Sequence, residues 1–137
     1  MLGAEAEDII LIHDGVRPFV TDDIIARSVA AAIETGAAVT AIPCTSTIKR
    51  SDDGLTVNGT LDRKLLWEAQ TPQAFRAGII QQAYELAGED GATDDSALVE
   101  RTGRGVAVVP GDRRNIKVTV PGDLEIASAI LASMEER

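Results

Sequence analysis

The sequence predicts an α/β domain with a mostly parallel sheet. Three observations carry that prediction. Short apolar runs of strand length alternate with longer segments of helical periodicity. At 137 residues and 45% hydrophobic side chains, the chain suits one domain with a sizeable core. Aromatic residues make up only 3%, so that core is aliphatic.

Asp8 to Ile12 reads as a buried strand. Thr21-Asp22-Asp23 looks like a helix start with acids in the first turn, and Gly36 like its stop. Ile24, Ile25, Val29 and Ile33 give that helix one broad apolar face. Ala38 to Pro43 is a second buried strand. Residues 45 to 70 break the rhythm. Thr47-Ile48-Lys49-Arg50 leads into the turn Ser51-Asp52-Asp53-Gly54, and Asn58-Gly59 is a hairpin-turn signal with Thr60 to Trp67 as the return strand. Such a half-polar ribbon has too little apolar face to stand alone, so it is expected to pack elsewhere on the chain or on a second subunit. Arg76 to Ala87 and Asp94 to Thr102 read as helices, the second closed by Gly103. Val106 to Val109 and Ile116 to Val120 are short strands. Pro121 opens a last helix, with Leu124, Ala127, Ile130, Leu131 and Met134 as its apolar face.

Composition excludes several classes of function. A net charge of −9 argues against nucleic acid, whose phosphates need a broad basic face. No stretch approaches the ~20 apolar residues of a membrane span, and no secretory signal is visible. Cys44 is the single cysteine, which rules out an internal disulfide framework and fits a reducing cytoplasm. It reads as a small core residue rather than a nucleophile.

The chemistry gathers at the end of the first strand, in His13-Asp14-Gly15-Val16-Arg17-Pro18-Phe19. Ligands of α/β sheets bind outside the carboxyl ends of strands. Asp14 and Arg17 could form a loop ion pair. Alternatively, Asp14 could hold Mg²⁺ or a sugar hydroxyl while Arg17 grips a phosphate with its planar fork. Gly15 would let a ligand approach the backbone. His13, the only histidine, reads as structural. Lys117 stands in an otherwise apolar run, Ile116-Lys117-Val118, where it must snorkel outward or reach a charged ligand. Thr71 and Thr93 add hydroxyls beside turns or helix starts, and Thr93 or Asp94 could be an N-cap. Arg63 by itself reads as a solvated charge. There is no Walker-type loop, no dinucleotide glycine motif and no Cys/His cluster.

Taken together, these motifs closely resemble the 2-C-methyl-D-erythritol 4-phosphate cytidylyltransferases. The matching elements are His-Asp-Gly-Val-Arg-Pro-Phe (13–19), Thr-Ile-Lys-Arg (47–50), Leu-Asp-Arg (61–63), Gln-Thr-Pro-Gln-Ala-Phe (70–75), Thr-Asp-Asp-Ser-Ala-Leu (93–98) and Asn-Ile-Lys-Val-Thr (115–119), in family order. The resemblance implies a Rossmann-like sheet of the nucleotide-diphospho-sugar transferase type with a β-arm. It implies transfer of a cytidylyl group from CTP to methylerythritol 4-phosphate with Mg²⁺, releasing pyrophosphate, in non-mevalonate isoprenoid synthesis. It makes Asp14 the carboxylate near ribose, metal and substrate hydroxyls. Arg17, Thr71, Thr93 and Lys117 become further members of the substrate pocket, with Lys117 also neutralising the reacting phosphates. Thr47 and Arg63 match residues sent across a homodimer interface, which gives the 45–70 segment the role of an exchanged arm.

The resemblance covers the family's C-terminal portion only. The glycine-rich CTP loop with its arginine and lysine has no counterpart here, so residues 1–137 are expected to be a single partial domain, inactive alone. Ribitol 5-phosphate cytidylyltransferases are the nearest rival, since they share the His-Asp and Asn-Ile-Lys-Val-Thr motifs. A non-catalytic, dimerising sugar-phosphate-binding module is the reading from another class.

Overall fold

The computed structural model describes residues 3–87 and 92–135. Its elements run β1 (Ile9–Ile12), α1 (Asp22–Thr35), β2 (Ala37–Pro43), β3 (Lys49–Arg50), β4 (Gly59–Thr60), β5 (Trp67–Arg76), α2 (Ala77–Ala87), α3 (Asp95–Arg101), β6 (Ala107–Pro110) and α4 (Pro121–Glu135). The main sheet has the order β1-β5-β2-β6, and β3 pairs with β4 in a separate two-stranded ribbon.

The α/β class is as expected, but the sheet is parallel only in part. β2 and β6 run parallel, whereas β5 lies antiparallel to both β1 and β2. The ten-residue β5 is the element that pattern reading passed over. Its middle, Gln70-Thr71-Pro72-Gln73, is polar and contains a proline, and proline in a central strand normally argues against the assignment. The structure accommodates it where the ladder is already broken. The β2–β5 register shifts between Val39 and Ala41, opposite this stretch. There the Thr40 hydroxyl donates to the Pro72 carbonyl at 2.7 Å and is itself paired with Ser28 Oγ at 3.1 Å. The Thr71–Pro72 bond is cis.

Side chains alternate across a strand, and here the alternation separates two helical layers. Thr40 faces α1 through Ser28, whereas Ala37 and Phe75 face the other way, into a core built with Ile80 and Ala83 of α2 and Leu98 and Val99 of α3. α1 begins as expected, with Thr21 Oγ1 accepting from Ile24 N at 3.3 Å, and ends at Gly36 in the left-handed region at φ 92°. Its inward face matches the expected one only in part. Ile24 is buried as expected, together with the small Ser28 and Ala32, while Ile25 and Ile33 are exposed. β1 is an edge strand and only half-buried, where a fully buried strand was expected.

Three further expectations are corrected. Ile116 to Val120 forms no strand. Lys117 and its neighbours run irregularly, tied by Val118 N donating to Val16 O at 2.9 Å. Asn58-Gly59 is not the hairpin turn: Asn58 N already donates to Arg50 O, so both residues belong to the returning side. The loop before them is closed by Asp53, whose Oδ1 accepts from Ser51 Oγ, Leu55 N and Thr56 N. The Thr56 and Leu55 amides hold that carboxyl down at about 2. The return strand itself is broken by a 3₁₀ turn at Arg63–Leu65. Last, α4 starts at Pro121 as expected, yet none of its residues is buried, and Leu124, Leu131 and Met134 are exposed.

Phe75 is fully buried between the sheet and α2–α3. Phe75→Ala should therefore lower the unfolding free energy by ~3–5 kcal/mol, the usual cost of emptying an aromatic site. Urea unfolding with an unchanged m-value would show it. A loss under 1 kcal/mol would mean the core closes over the gap.

Candidate functional site

Four segments converge on one cleft: the β1–α1 loop, the middle of β5, the start of α3 and the irregular stretch after β6. The cleft encloses about 430 Å³, and Asp14, Arg17, Thr71, Thr93 and Lys117 all line it. Five of the sequence-predicted residues are thus brought together. Gln70, Gln73, Asp94 and Asp95 line it too, and pattern reading did not single them out as site residues. Their signal was available: four polar residues flank Thr71 and Thr93 in segments that otherwise bury themselves.

Asp14 is the hub. Its Oδ2 accepts from Arg17 Nε at 3.3 Å and lies 3.1 Å from Lys117 Nζ. Desolvation pushes the Asp14 carboxyl up, but the hydrogen bonds and charges of Lys117, then of Arg17, outweigh it and hold the group below its ordinary value. The Asp14–Arg17 pair is thus the loop ion pair of the plainer reading, and both side chains line the cleft. The Arg17 side chain is only 11% exposed, and its Nη1 donates to the Asn115 carbonyl at 2.8 Å. Asn115 is itself fully buried. Its Nδ2 donates to Thr71 O at 2.8 Å, while its Oδ1 meets no donor among the described residues. Gln70 completes the knot, donating from Nε2 to Asp112 O at 2.9 Å.

At the other end of the cleft, Asp94 is the N-cap of α3. Its Oδ1 accepts from Ala97 N, and its Oδ2 accepts from Gln73 Nε2 at 3.0 Å. Of the two candidate caps, Asp94 takes the position and leaves the exposed Thr93 hydroxyl at the cleft wall. A second cleft of about 380 Å³ lies beside the first and adds Glu68, Arg113, Ile116 and Asp123. Arg17 and Lys117 line both, so the two cations stand between the clefts.

Three predicted site residues lie elsewhere. Gly15 is exposed and does not line either cleft, and an added Cβ would meet nothing within 4 Å. Thr47 is exposed, next to β3. Arg63 is exposed in the 3₁₀ turn and donates to Thr45 O at 3.0 Å. Among the described residues no group of three His, Cys, Asp or Glu side chains could cage a metal. Asp14 alone is nevertheless compatible with Mg²⁺, which at phosphate sites commonly takes one or two carboxylates and completes its shell with ligand oxygens and water. No helix among the described residues is long and apolar enough to cross a membrane.

Comparison with known proteins agrees with this geometry. Residues 1–133 match the family model described as 2-C-methyl-D-erythritol 4-phosphate cytidylyltransferase. The chain belongs to that family. It is 50% identical over 135 residues to the family enzyme of Syntrophus aciditrophicus and 51% identical over 126 residues to that of Geobacter metallireducens. These alignments cover 97% and 90% of this chain but 58% and 54% of the relatives, so the chain spans little more than half their length. Among solved structures, the family enzyme of Thermus thermophilus superimposes with a TM-score of 0.81 at 33% identity, over 90% of this chain and 62% of that one. The Francisella tularensis enzyme gives 0.84 at 29% identity, over 93% and 61%.

The balance at Asp14 can be tested directly. Lys117→Met should move the Asp14 carboxyl midpoint upward, since desolvation would then face only Arg17. In the unmutated chain the group's share of stability is present above 3.8 and is lost as pH falls through its lower folded value. Carboxyl-detected NMR titration of the two proteins would measure the difference. An unmoved midpoint would remove Lys117 from the pair.

Proposed function

We propose that this chain supplies the sugar-phosphate site of an enzyme transferring a cytidylyl group from CTP to 2-C-methyl-D-erythritol 4-phosphate, with release of pyrophosphate, in non-mevalonate isoprenoid synthesis. The observation that carries the reading is one carboxylate, Asp14, shared by two cations that stand between two clefts. Partly exposed ion pairs contribute only about 0–1 kcal/mol, so an incoming phosphate can draw Lys117 off Asp14 at little cost. Arg17, held from behind by Asn115, keeps its fork in place for the same anion.

In this reading the substrate phosphate attacks the α-phosphorus of CTP in line, and pyrophosphate leaves. The protein's work is to position the groups and to offset developing negative charge. Lys117 supplies that charge at the boundary between the clefts. Asp14, freed of Lys117, and the hydroxyls of Thr71 and Thr93 receive the polyol. Mg²⁺, with Asp14 as its protein ligand, would withdraw charge from the nucleotide phosphates when bound. The 137 residues contain no glycine-rich phosphate loop, so turnover by this chain alone is not expected.

Residues 45–70 are assigned as a dimer arm that carries Thr47 and Arg63 to the pocket of a second copy. Neither residue lines its own chain's cleft, and Leu55, Val57, Leu65 and Trp67 of the same segment are exposed. A cytoplasmic setting suits a chain whose only cysteine, Cys44, is a buried free thiol.

Calorimetric titration of the chain with methylerythritol 4-phosphate, in competition with ribitol 5-phosphate, tests the substrate. The methylerythritol compound should bind more tightly, and a reversed or absent preference would favour the ribitol enzymes. The arm is tested in the full-length form, where Arg63→Ala should raise KM for the sugar phosphate by about tenfold, the worth of one charge-assisted hydrogen bond. KM for CTP should stay put, and a parallel rise in both would refute the assignment.

A further inference from the structure

His13 has no role in the chemistry described so far, yet its ring is pinned at both nitrogens. Nδ1 lies 2.9 Å from Thr71 Oγ1, and Nε2 lies 3.1 Å from the Arg17 carbonyl oxygen. A carbonyl can only accept, so Nε2 carries the hydrogen. In a neutral imidazole the other nitrogen is then an acceptor. Thr71 must therefore donate its single hydroxyl proton to Nδ1. The same Thr71 oxygen accepts from Asp14 N–H at 3.0 Å. A hydroxyl has one proton and two acceptor sites. The proton is committed and one acceptor site is filled, which leaves one lone pair on the hydroxyl of a residue that lines the cleft with Asp14 and Lys117.

We propose that His13 is a positioning residue that makes Thr71 a pure acceptor toward the cleft, so that Thr71 selects a ligand hydroxyl and gives nothing to a phosphate oxygen. The inference rests on the reading of this cleft as a polyol-phosphate site, and it adds a polarity to it. An ionised phosphate offers only acceptors and belongs with the cations Arg17 and Lys117. A polyol hydroxyl can donate to Thr71. The ring also fixes the loop itself, since its Nε2–H holds the Arg17 backbone and its Nδ1 holds the strand that carries Thr71. One side chain thus sets both the spacing between β5 and the Asp14–Arg17 loop and the direction of the hydroxyl between them.

His13 is the only histidine, so nitrogen-detected NMR reads one imidazole without assignment. The expected signature of the neutral ring is a single Nε2–H tautomer with an acceptor Nδ1. An Nδ1–H tautomer would overturn the proposal. The second arm measures binding of methylerythritol 4-phosphate and of orthophosphate to two variants. His13→Leu removes the acceptor and should weaken the polyol phosphate by about tenfold, with a clearly smaller loss on orthophosphate from the released Arg17 carbonyl. His13→Asn places an amide oxygen near the Nδ1 position and should restore affinity to within about twofold. Equal losses on both probes, no loss in His13→Leu, or no rescue by His13→Asn would each defeat it. His13 is exposed, and thermal melts of both variants would check that the fold survives. A wild-type chain that binds orthophosphate but not methylerythritol phosphate would instead defeat the substrate assignment, while the tautomer would still decide the direction of the Thr71 hydroxyl.

Discussion

Everything at the site depends on a break in the central β-ladder. β5 enters the sheet as an antiparallel strand between β1 and β2, and at Gln70–Pro72 it stops pairing with β2. A sheet interior tolerates such a gap only if the released polar groups find other partners. Here they do: Thr40 takes the Pro72 carbonyl, Asn115 takes the Thr71 carbonyl, and the Gln70 side chain reaches Asp112 O. Leaving one such group without a partner costs about 1–3 kcal/mol. That cost holds the segment after β6 against β5. The segment in turn brings Lys117 to Asp14 and fixes Arg17 through Asn115 O.

The electrostatics follow from this packing rather than causing it. The ion pairs of Asp14 are partly exposed, with Lys117 47% accessible, and pairs of that kind add little stability. Their value is positional. Arg17 is clamped by a buried carbonyl, whereas Lys117 pairs among the described residues with Asp14 alone. One cation is therefore a fixed wall and the other can exchange partners. The same contrast appears at the far side of the cleft, where Asp94 is engaged as a cap and by Gln73, while Thr93 is exposed at the wall.

How much of this the sequence revealed depended on whether a residue was chemically out of place. Asp14, Arg17 and Lys117 stand at the ends of apolar runs or inside them, and burial makes charge conspicuous there. Thr21 and Gly36 marked the ends of α1 because a cap and a left-handed stop have strong side-chain requirements. β5 was hidden because its polar middle and Pro72 follow no period of two; the partners that satisfy it, Thr40 and Asn115, lie about 30 and 45 residues away along the chain. The inward face of α1 was misjudged in part for a related reason. Isoleucine spacing suggested Ile25 and Ile33, but the sheet leaves room for Ser28 and Ala32, and Ser28 is needed against Thr40. Lys117 was found although its strand was not, because the argument for it rested on charge and not on backbone shape.

The cleft's anchors are all local to the stretch of the family that this chain spans. Asp14 is fixed by Thr71, Arg17 by Asn115, Thr71 by His13 and Asp94 by Gln73, and every one of these partners lies within the described residues. None of these four anchors draws on the exposed apolar residues of α1, of the 45–70 segment or of α4. The polar knot that shapes the cleft and the apolar surfaces left bare are therefore separate regions of the chain. Covering the bare surfaces would add stability without having to rebuild the cleft, and altering the knot would move the cleft without touching those surfaces. Cleft geometry and exposed apolar surface are, in this chain, carried by different residues.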